Sequence, residues 1–263
     1  MNGSSMLPPN RFKRALAAGQ VQIGFWLGLE SPLATEIAAG SGFDWLLLDM
    51  EHTGVDTSGV VEHLRAARGS PAEMLVRVPS LDVVMVKRLL DLGVRSFMFP
   101  SIVDAGQART AVAATRYPPQ GIRGVSGTNR ANNFARDPNY QRGYIDEQCV
   151  VLQIESRPAV IAITEIGAVE GVDALVIGPH DMAASLGMFG QPNASEVNAV
   201  VEEALVRIRA TGKAPGVLNF DVARATALIA QGYRMLAVGS DVSMLARRSE
   251  ELRQHFPGLP AGA

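Results

Sequence analysis

The chain has 263 residues, of which 47% are hydrophobic and 19% charged, and its 26 acidic and 24 Lys or Arg residues give a formal net charge of −2. That length and apolar content suffice for a large core, and the scattered arginines exclude the clustered basic face that nucleic-acid binding requires. The single cysteine, Cys149, cannot form an internal disulfide and fits a reducing cytoplasm, and no apolar stretch approaches the ~18 residues that a membrane span needs.

The opening segment MNGSSMLPPNRFKRALAAGQ lacks the apolar core of a signal peptide. Residues 1–20 are expected to form an extension with a leading helix, the first ten polar, Pro-rich residues being loose. Strands are then predicted at Gln22–Leu27, Trp45–Asp49, Met74–Val78 and Ser96–Phe99, with helices at Pro32–Ser41, Val55–Arg68, Val83–Leu92 and Ala105–Arg116 between and after them. The second half repeats the alternation. Its strands are Cys149–Glu155, Ala174–Ile177, Pro215–Leu218 and Met235–Val238, and its helices lie around Pro158–Ile166 and over Ser195–Thr211, Asp221–Gln231 and Val242–His255. Ser31, Asp82 and Asp241 read as helix caps, and Gly93, Gly212 and Gly232 as helix stops. Most strands are continuous apolar runs, as in parallel sheets covered on both faces.

Eight such units predict an α/β fold, a single-domain (β/α)8 TIM barrel over residues 21–256, with a frayed tail at 257–263. An open doubly wound sheet is the alternative, weakened because no G-x-G-x-x-G follows the first strand. The gap from Tyr117 to Gln148 is placed after strand four on the catalytic face, where it would cover the site.

In such a barrel the carboxyl ends of all strands share one face, so polar residues there converge. Glu155 and Asp181 end consecutive strands. As a pair they suit an oxygen-loving dication, while singly each reads as a helix cap. His52 lies just past strand two and suits a general base, with Asp49 three residues earlier to orient its imidazole. Glu51 reads as a third carboxylate or a helix-entry charge. His63 and His255 sit in helical patterns and are expected to be solvated. Arg77 lies inside a strand, where a guanidinium needs an anion, either a developing oxyanion or a buried carboxylate partner. The only lysines are Lys13, Lys87 and Lys213. None is placed at the barrel mouth, so a Schiff base is excluded and electrophilic stabilisation falls to a metal rather than to an organic cofactor. The turn Gly178–Pro179 opens a helix whose N–H groups suit a carboxylate, and Gly239–Ser240 offers a second such corner.

The segments GFDWLLLDMEH, LVRVP, LLDLGV, RYPPQGIRGV, VLQIESRPAV, GVDALVIGPHDMAASLG and AVGSDVSMLAR resemble the HpcH/HpaI aldolases, the metal-dependent pyruvate aldolases, from about Gly24 to Leu252. The resemblance implies that Glu155 and Asp181 hold Mg²⁺, Mn²⁺ or Co²⁺, and that His52 is the base with Asp49 as its partner. It implies that Asp91 supports that histidine from a neighbouring subunit and that Arg77 stabilises an enolate. Gln153 and the turn of Gly178, Pro179, His180 and Asp181 would bind pyruvate. The partners implied are a 2-oxo acid and an aldehyde, and further copies of the chain in a hexamer. His180 stands where many members carry a smaller residue. The segment GVSGTNRANNFAR varies in the family, and its Arg123 and Arg130 would either meet an acidic aldehyde or serve as surface or interface arginines. An oxaloacetate decarboxylase, a citramalyl-CoA-type lyase and an inert metal-binding barrel remain as alternatives.

Overall fold

In the computed structural model, which describes residues 6–256, eight strands run parallel and close on themselves in the order β1 to β8. They are β1 (Gln22–Leu27), β2 (Trp45–Asp49), β3 (Glu73–Arg77), β4 (Ser96–Phe99), β5 (Cys149–Ile154), β6 (Ala174–Ile177), β7 (Ala214–Leu218) and β8 (Met235–Ser240). The early helices are α1 (Arg11–Ala17), α2 (Pro32–Ala39), α3 (Thr57–Ala66), α4 (Val83–Asp91), α5 (Ala105–Thr115) and α6 (Tyr140–Glu147). The later ones are α7 (Arg157–Ile161), α8 (Ile163–Gly167), α9 (Pro179–Ser185), α10 (Ser195–Ala210), α11 (Val222–Gln231) and α12 (Asp241–Gln254). Among the described residues no helix is long and apolar enough to cross a membrane.

The period-two pleat sorts the strand residues into two cores. One phase (Phe25, Leu46, Leu48, Val76, Phe97, Leu152, Leu175, Leu236) packs outward against the helices. The other phase (Trp26, Trp45, Leu47, Leu75, Met98, Val151, Val176, Met235) fills the barrel together with Cys149. Asp49, Arg77, Gln153 and Glu155 continue that inward phase at the carboxyl ends, which is why polar side chains converge there. Cys149 is fully buried, and burial holds its thiol well above the usual value. It acts as a small core residue.

The amino end of the barrel is closed by α1, not by a loose extension. Residues 1–5 and the tail at 257–263 lie outside the described residues. Asn10 is wholly buried: its side chain caps α1 through the Lys13 amide and donates to Ser96 Oγ at 2.9 Å and Glu147 O at 3.0 Å. Phe12 and Leu16 then plug the barrel interior. Arg95 forks onto Glu73, and Ser96 Oγ donates to the same carboxylate at 2.7 Å.

The segment after Tyr117 does not cover the mouth. Because α5 already returns the chain to the amino end, residues 117–148 form an αβ connection on the opposite face. There Tyr117, Tyr140 and Tyr144 cluster, and Arg123 lies wholly buried over the Tyr117 ring at 4.3 Å. The expected helix around Pro158–Ile166 is split into α7 and α8. Ser240, not Asp241, caps α12, in a reciprocal box with Ser243. His63 is buried rather than solvated: its Nδ1 meets Thr35 Oγ1 at 2.6 Å, and burial lowers its pKa.

Candidate active site

The β2–β3 register sets Asp49 directly opposite Arg77. Both point into the barrel and both are about nine-tenths buried or more. Arg77 forks onto Asp49, Nε to Oδ1 at 3.0 Å and Nη2 to Oδ2 at 2.6 Å. The Trp26 ring lies 4.7 Å from the guanidinium carbon, and its Nε1–H donates to Asp49 Oδ2 at 3.2 Å. Burial alone would raise the Asp49 pKa, but the Arg77 hydrogen bond and charge outweigh it, so the group stays ionised. Thus the buried ion-pair reading of Arg77 describes its ground state. Asp49 does not orient the His52 imidazole. Its remaining bonds go to the backbone N–H groups of Glu51, at 2.9 Å, and His52, at 3.4 Å, and so fix the loop that carries the histidine.

That loop turns His52 outward, its side chain 66% exposed, with Nε2 3.7 Å from Glu51 Oε2. Glu51 also lies 2.8 Å from Arg77 Nη1, an ion-pair contact in which Oε2 receives no well-directed hydrogen bond. Burial raises the Glu51 pKa, against the pull of Arg77. Glu51 is therefore a third carboxylate of the site rather than a helix-entry charge.

Across the barrel, Glu155 Oε2 accepts from the Ser101 amide at 2.9 Å and Ser101 Oγ at 3.2 Å, and Gln153 Nε2 bonds its Oε1. Ser101 holds φ +56°, a left-handed conformation that costs a non-glycine residue energy and here aims the amide at the carboxylate. Gly178 follows β6 and is the N-cap of α9. A Cβ there would sit 3.0 Å from Glu155 Cγ and Oε1 and 3.4 Å from Gln153 Nε2, so the missing side chain makes room for both. From Gly178 the chain enters α9, with Asp181 in its first turn.

Trp26, His52, Arg77, Gln153, Asp181 and Ser240 line part of a cavity of about 380 Å³, whose wall does not include Asp49, Glu51, Ser101 or Glu155. Burial pushes Glu155 up to about 7, and the negative charges of Asp181 and then Glu51 add to the rise. Gln153 Oε1 is buried without a hydrogen-bond partner. This excess of oxygen donors and negative charge fits a hard dication held by Glu155 and Asp181. Among the described residues no three His, Cys, Asp or Glu side chains cluster closely enough to hold a metal alone, so water and substrate would complete its shell.

The remaining candidates lie elsewhere. Asp91 ends α4 at the amino end of the barrel, where it accepts from Arg123 Nη2 at 2.8 Å and Asn129 Nδ2 at 3.3 Å. It does not meet His52 of its own chain. Arg130 donates to Leu92 O at 2.7 Å on that same face, so neither Arg123 nor Arg130 faces this chain's mouth. The lysines are also away from it: Lys13 donates to Gln148 O at 2.6 Å, Lys87 lies on α4, and Lys213 precedes β7. Two residues escaped the sequence reading. Trp26 carried a legible signal, its inward phase in β1. Ser101 carried none, because its role comes from a backbone conformation.

The model of the HpcH/HpaI aldolase/citrate lyase family matches residues 22–247. A pyruvate aldolase of Rhizobium etli is 46% identical over 250 residues, covering 95% of this chain and 98% of the relative. A 4-hydroxy-2-oxo-heptane-1,7-dioate aldolase of Salmonella heidelberg is 45% identical, covering 94% of each. The crystal structure of a family protein from Burkholderia cenocepacia J2315 superposes with a TM-score of 0.91 at 38% identity, over 94% of this chain and 98% of that one. With matches that run almost end to end on the same barrel, the chain belongs to the HpcH/HpaI aldolase/citrate lyase family and is a carbon–carbon lyase of the aldolase kind.

Proposed function

We propose that the chain reversibly cleaves a 4-hydroxy-2-oxo acid to pyruvate and an aldehyde, with a divalent cation held by Glu155 and Asp181. The observation that carries this reading is the buried Glu155, whose pKa is raised by its own burial and by Asp181, beside the unpartnered Gln153 Oε1. When bound, the cation would polarise the 2-oxo group and so favour an enolate. The chain's own residues do the rest. His52, at the rim, accepts the proton of the 4-hydroxyl. The C3–C4 bond then breaks, its electron pair passing to C3 and the 2-oxo oxygen while C4 becomes the aldehyde carbonyl. Arg77 keeps N–H donors on Nη1 and Nη2 for the enolate oxygen, its orientation fixed by Asp49 and Trp26. Return of the proton to C3 completes pyruvate. Gln153 and the Gly178–Asp181 turn hold the 2-oxo acid's carboxylate end.

Pyruvate release from 4-hydroxy-2-oxo acids tests the reading. Turnover is expected, and borohydride with pyruvate should leave no adduct on Lys13, Lys87 or Lys213. A covalent pyruvyl-lysine would point to imine chemistry instead.

The same proposal includes assembly of several copies. In support, α12 has no buried residue yet carries Met244 at 61%, Leu245 at 60% and Leu252 at 51% exposure, an apolar face for which another copy is the natural cover. The absence of Asp91 from its own chain's site agrees with a role across such an interface.

A further inference from the structure

β1 lies beside β2 in the barrel, with Leu27 opposite Leu48, so the loops that follow the two strands are neighbours. The loop after β2 carries His52, and side-chain oxygens hold its backbone. Asp49 Oδ1 accepts from the amides of Glu51 and His52. Thr53 Oγ1 donates to Asp49 O and accepts from the Val55 amide at 3.3 Å. All of these ties lie within β2 and its own loop. Among the described residues, the one bond that residues 51–55 make through their backbone to any other element goes to Glu30, in the loop after β1. Glu30 Oε1 accepts from the Gly54 amide at 2.6 Å.

Both ends of that bond are shaped for it. Glu30 holds φ +57°, a left-handed conformation unfavourable for a residue with a Cβ. Of the described non-glycine residues with positive φ, only Glu30 and Ser101 closely follow the carboxyl end of a strand, and Ser101 supports Glu155. At the other end stands a glycine. A Cβ on Gly54 would sit 3.0 Å from Glu30 Oε2 and 3.1 Å from Oε1, so the missing side chain leaves room for the carboxylate. The root of the β1 loop is fixed as well. Asp241, in the first turn of α12, accepts from the amides of Gly28 at 2.8 Å and Leu29 at 3.1 Å. An exposed carboxylate on a strained backbone is thus aimed from an anchored loop at the amide two residues beyond His52, in a charge-assisted hydrogen bond.

We propose that Glu30 is a positioning residue for the proton transfer: through the Gly54 amide it fixes the far side of the His52 loop and so sets the reach of the imidazole to the 4-hydroxyl. Asp49 fixes the near side from β2, and Glu30 fixes the far side from β1. Glu30 touches neither substrate nor metal, and its effect passes through His52 alone. This inference rests on the aldolase reading with His52 as base, and deepens it by naming what holds that base in place.

The experiment is a double-mutant cycle on the cleavage of 4-hydroxy-2-oxopentanoate and 4-hydroxy-2-oxoheptanedioate by the metal-loaded protein. Glu30→Gly removes the carboxylate and relieves the backbone strain, so the variant should fold, which circular dichroism and thermal melting check. Its kcat should fall by about 10- to 100-fold, the scale of a misplaced catalytic group, with KM unchanged. Glu30→Gln keeps an oxygen acceptor at the same reach and should recover most of that loss. In a His52→Ala background, Glu30→Gly should change kcat by less than about 2-fold, because a residue that acts only by placing the imidazole has nothing left to place. Full kcat in Glu30→Gly, a rise in KM in place of the fall in kcat, no recovery in Glu30→Gln, or an undiminished further loss in the His52→Ala background overturns the assignment. The underlying reading has separate signatures of failure. If His52→Ala alone cleaves at the full rate, the choice of base is wrong and the role of Glu30 falls with it. If the unaltered protein cleaves neither acid and does not exchange the methyl protons of pyruvate with D₂O, the aldolase reading itself fails.

Discussion

At the scale of single residues, the site is organised by what each inward side chain faces across the barrel. Arg77 is held by Asp49, its register partner, and by the Trp26 ring. On the proposed mechanism the guanidinium is the donor to the enolate oxygen, so Arg77→Ala should lower kcat by roughly 10²- to 10³-fold. Dication binding, measured by calorimetry, should be largely spared. Asp49→Asn should lower kcat too, because it frees Arg77 to adopt other orientations, and should cost about 3–5 kcal/mol in chemical denaturation by unbalancing a buried pair. Normal turnover in both variants would remove Arg77 from the chemistry. Sequence alone made Glu155, Arg77 and Asp181 legible, because a charge in or beside a buried apolar strand demands a reason. It misassigned Asp49, since His52 is three residues away in the chain whereas Arg77 is the neighbour in the sheet. His63 was misread for a related reason: a helical pattern does not reveal which face meets Thr35.

At the scale of elements, strands were legible to within a residue or two, because continuous apolar runs bounded by polar ends have few other solutions. The segment after Tyr117 was placed on the wrong face. Its length suggested a covering loop, yet any chain that follows a completed βα unit must return at the amino end. The same end carries α1, whose cap looked like a loose Pro-rich lead. Asn10 there joins α1 to β4 and α6 through bonds to Ser96 and to Glu147 O. Asn10→Ala removes a helix cap and strands buried partners, so it should cost about 1–3 kcal/mol in urea denaturation. Because the network lies at the opposite end from the mouth, kcat should not change. A lowered kcat at unaltered stability would show that the two ends of the barrel are coupled.

At the scale of the whole molecule, the site's negative charge opposes folding. Glu155 has its pKa raised to about 7, so between the ordinary carboxyl value and about 7 the folded chain keeps a proton that the unfolded chain has lost. Stability of the metal-free protein should therefore fall as pH rises through that window, by about 1–3 kcal/mol. Denaturation midpoints from pH 4.5 to 8 check this, and Glu155→Gln should flatten the profile. Self-association belongs to this scale as well. Light scattering should give a mass above the 28.0 kDa of one chain, and charges placed at Met244 and Leu245 should reduce it. A monomer at all concentrations would leave the exposed face of α12 without a role. The family resemblance gave an expectation of assembly, whereas composition and periodicity could not, because the apolar face of α12 reads the same whether it covers a barrel or a neighbour.

The most direct measurement is dication titration of chelator-treated protein, followed at once by calorimetry and by pyruvate release. One ion per chain should bind with proton release below about pH 7, activity should return in step with occupancy, and Glu155→Gln should lose both. Full pyruvate release from rigorously metal-free protein would contradict the proposed role of the two carboxylates.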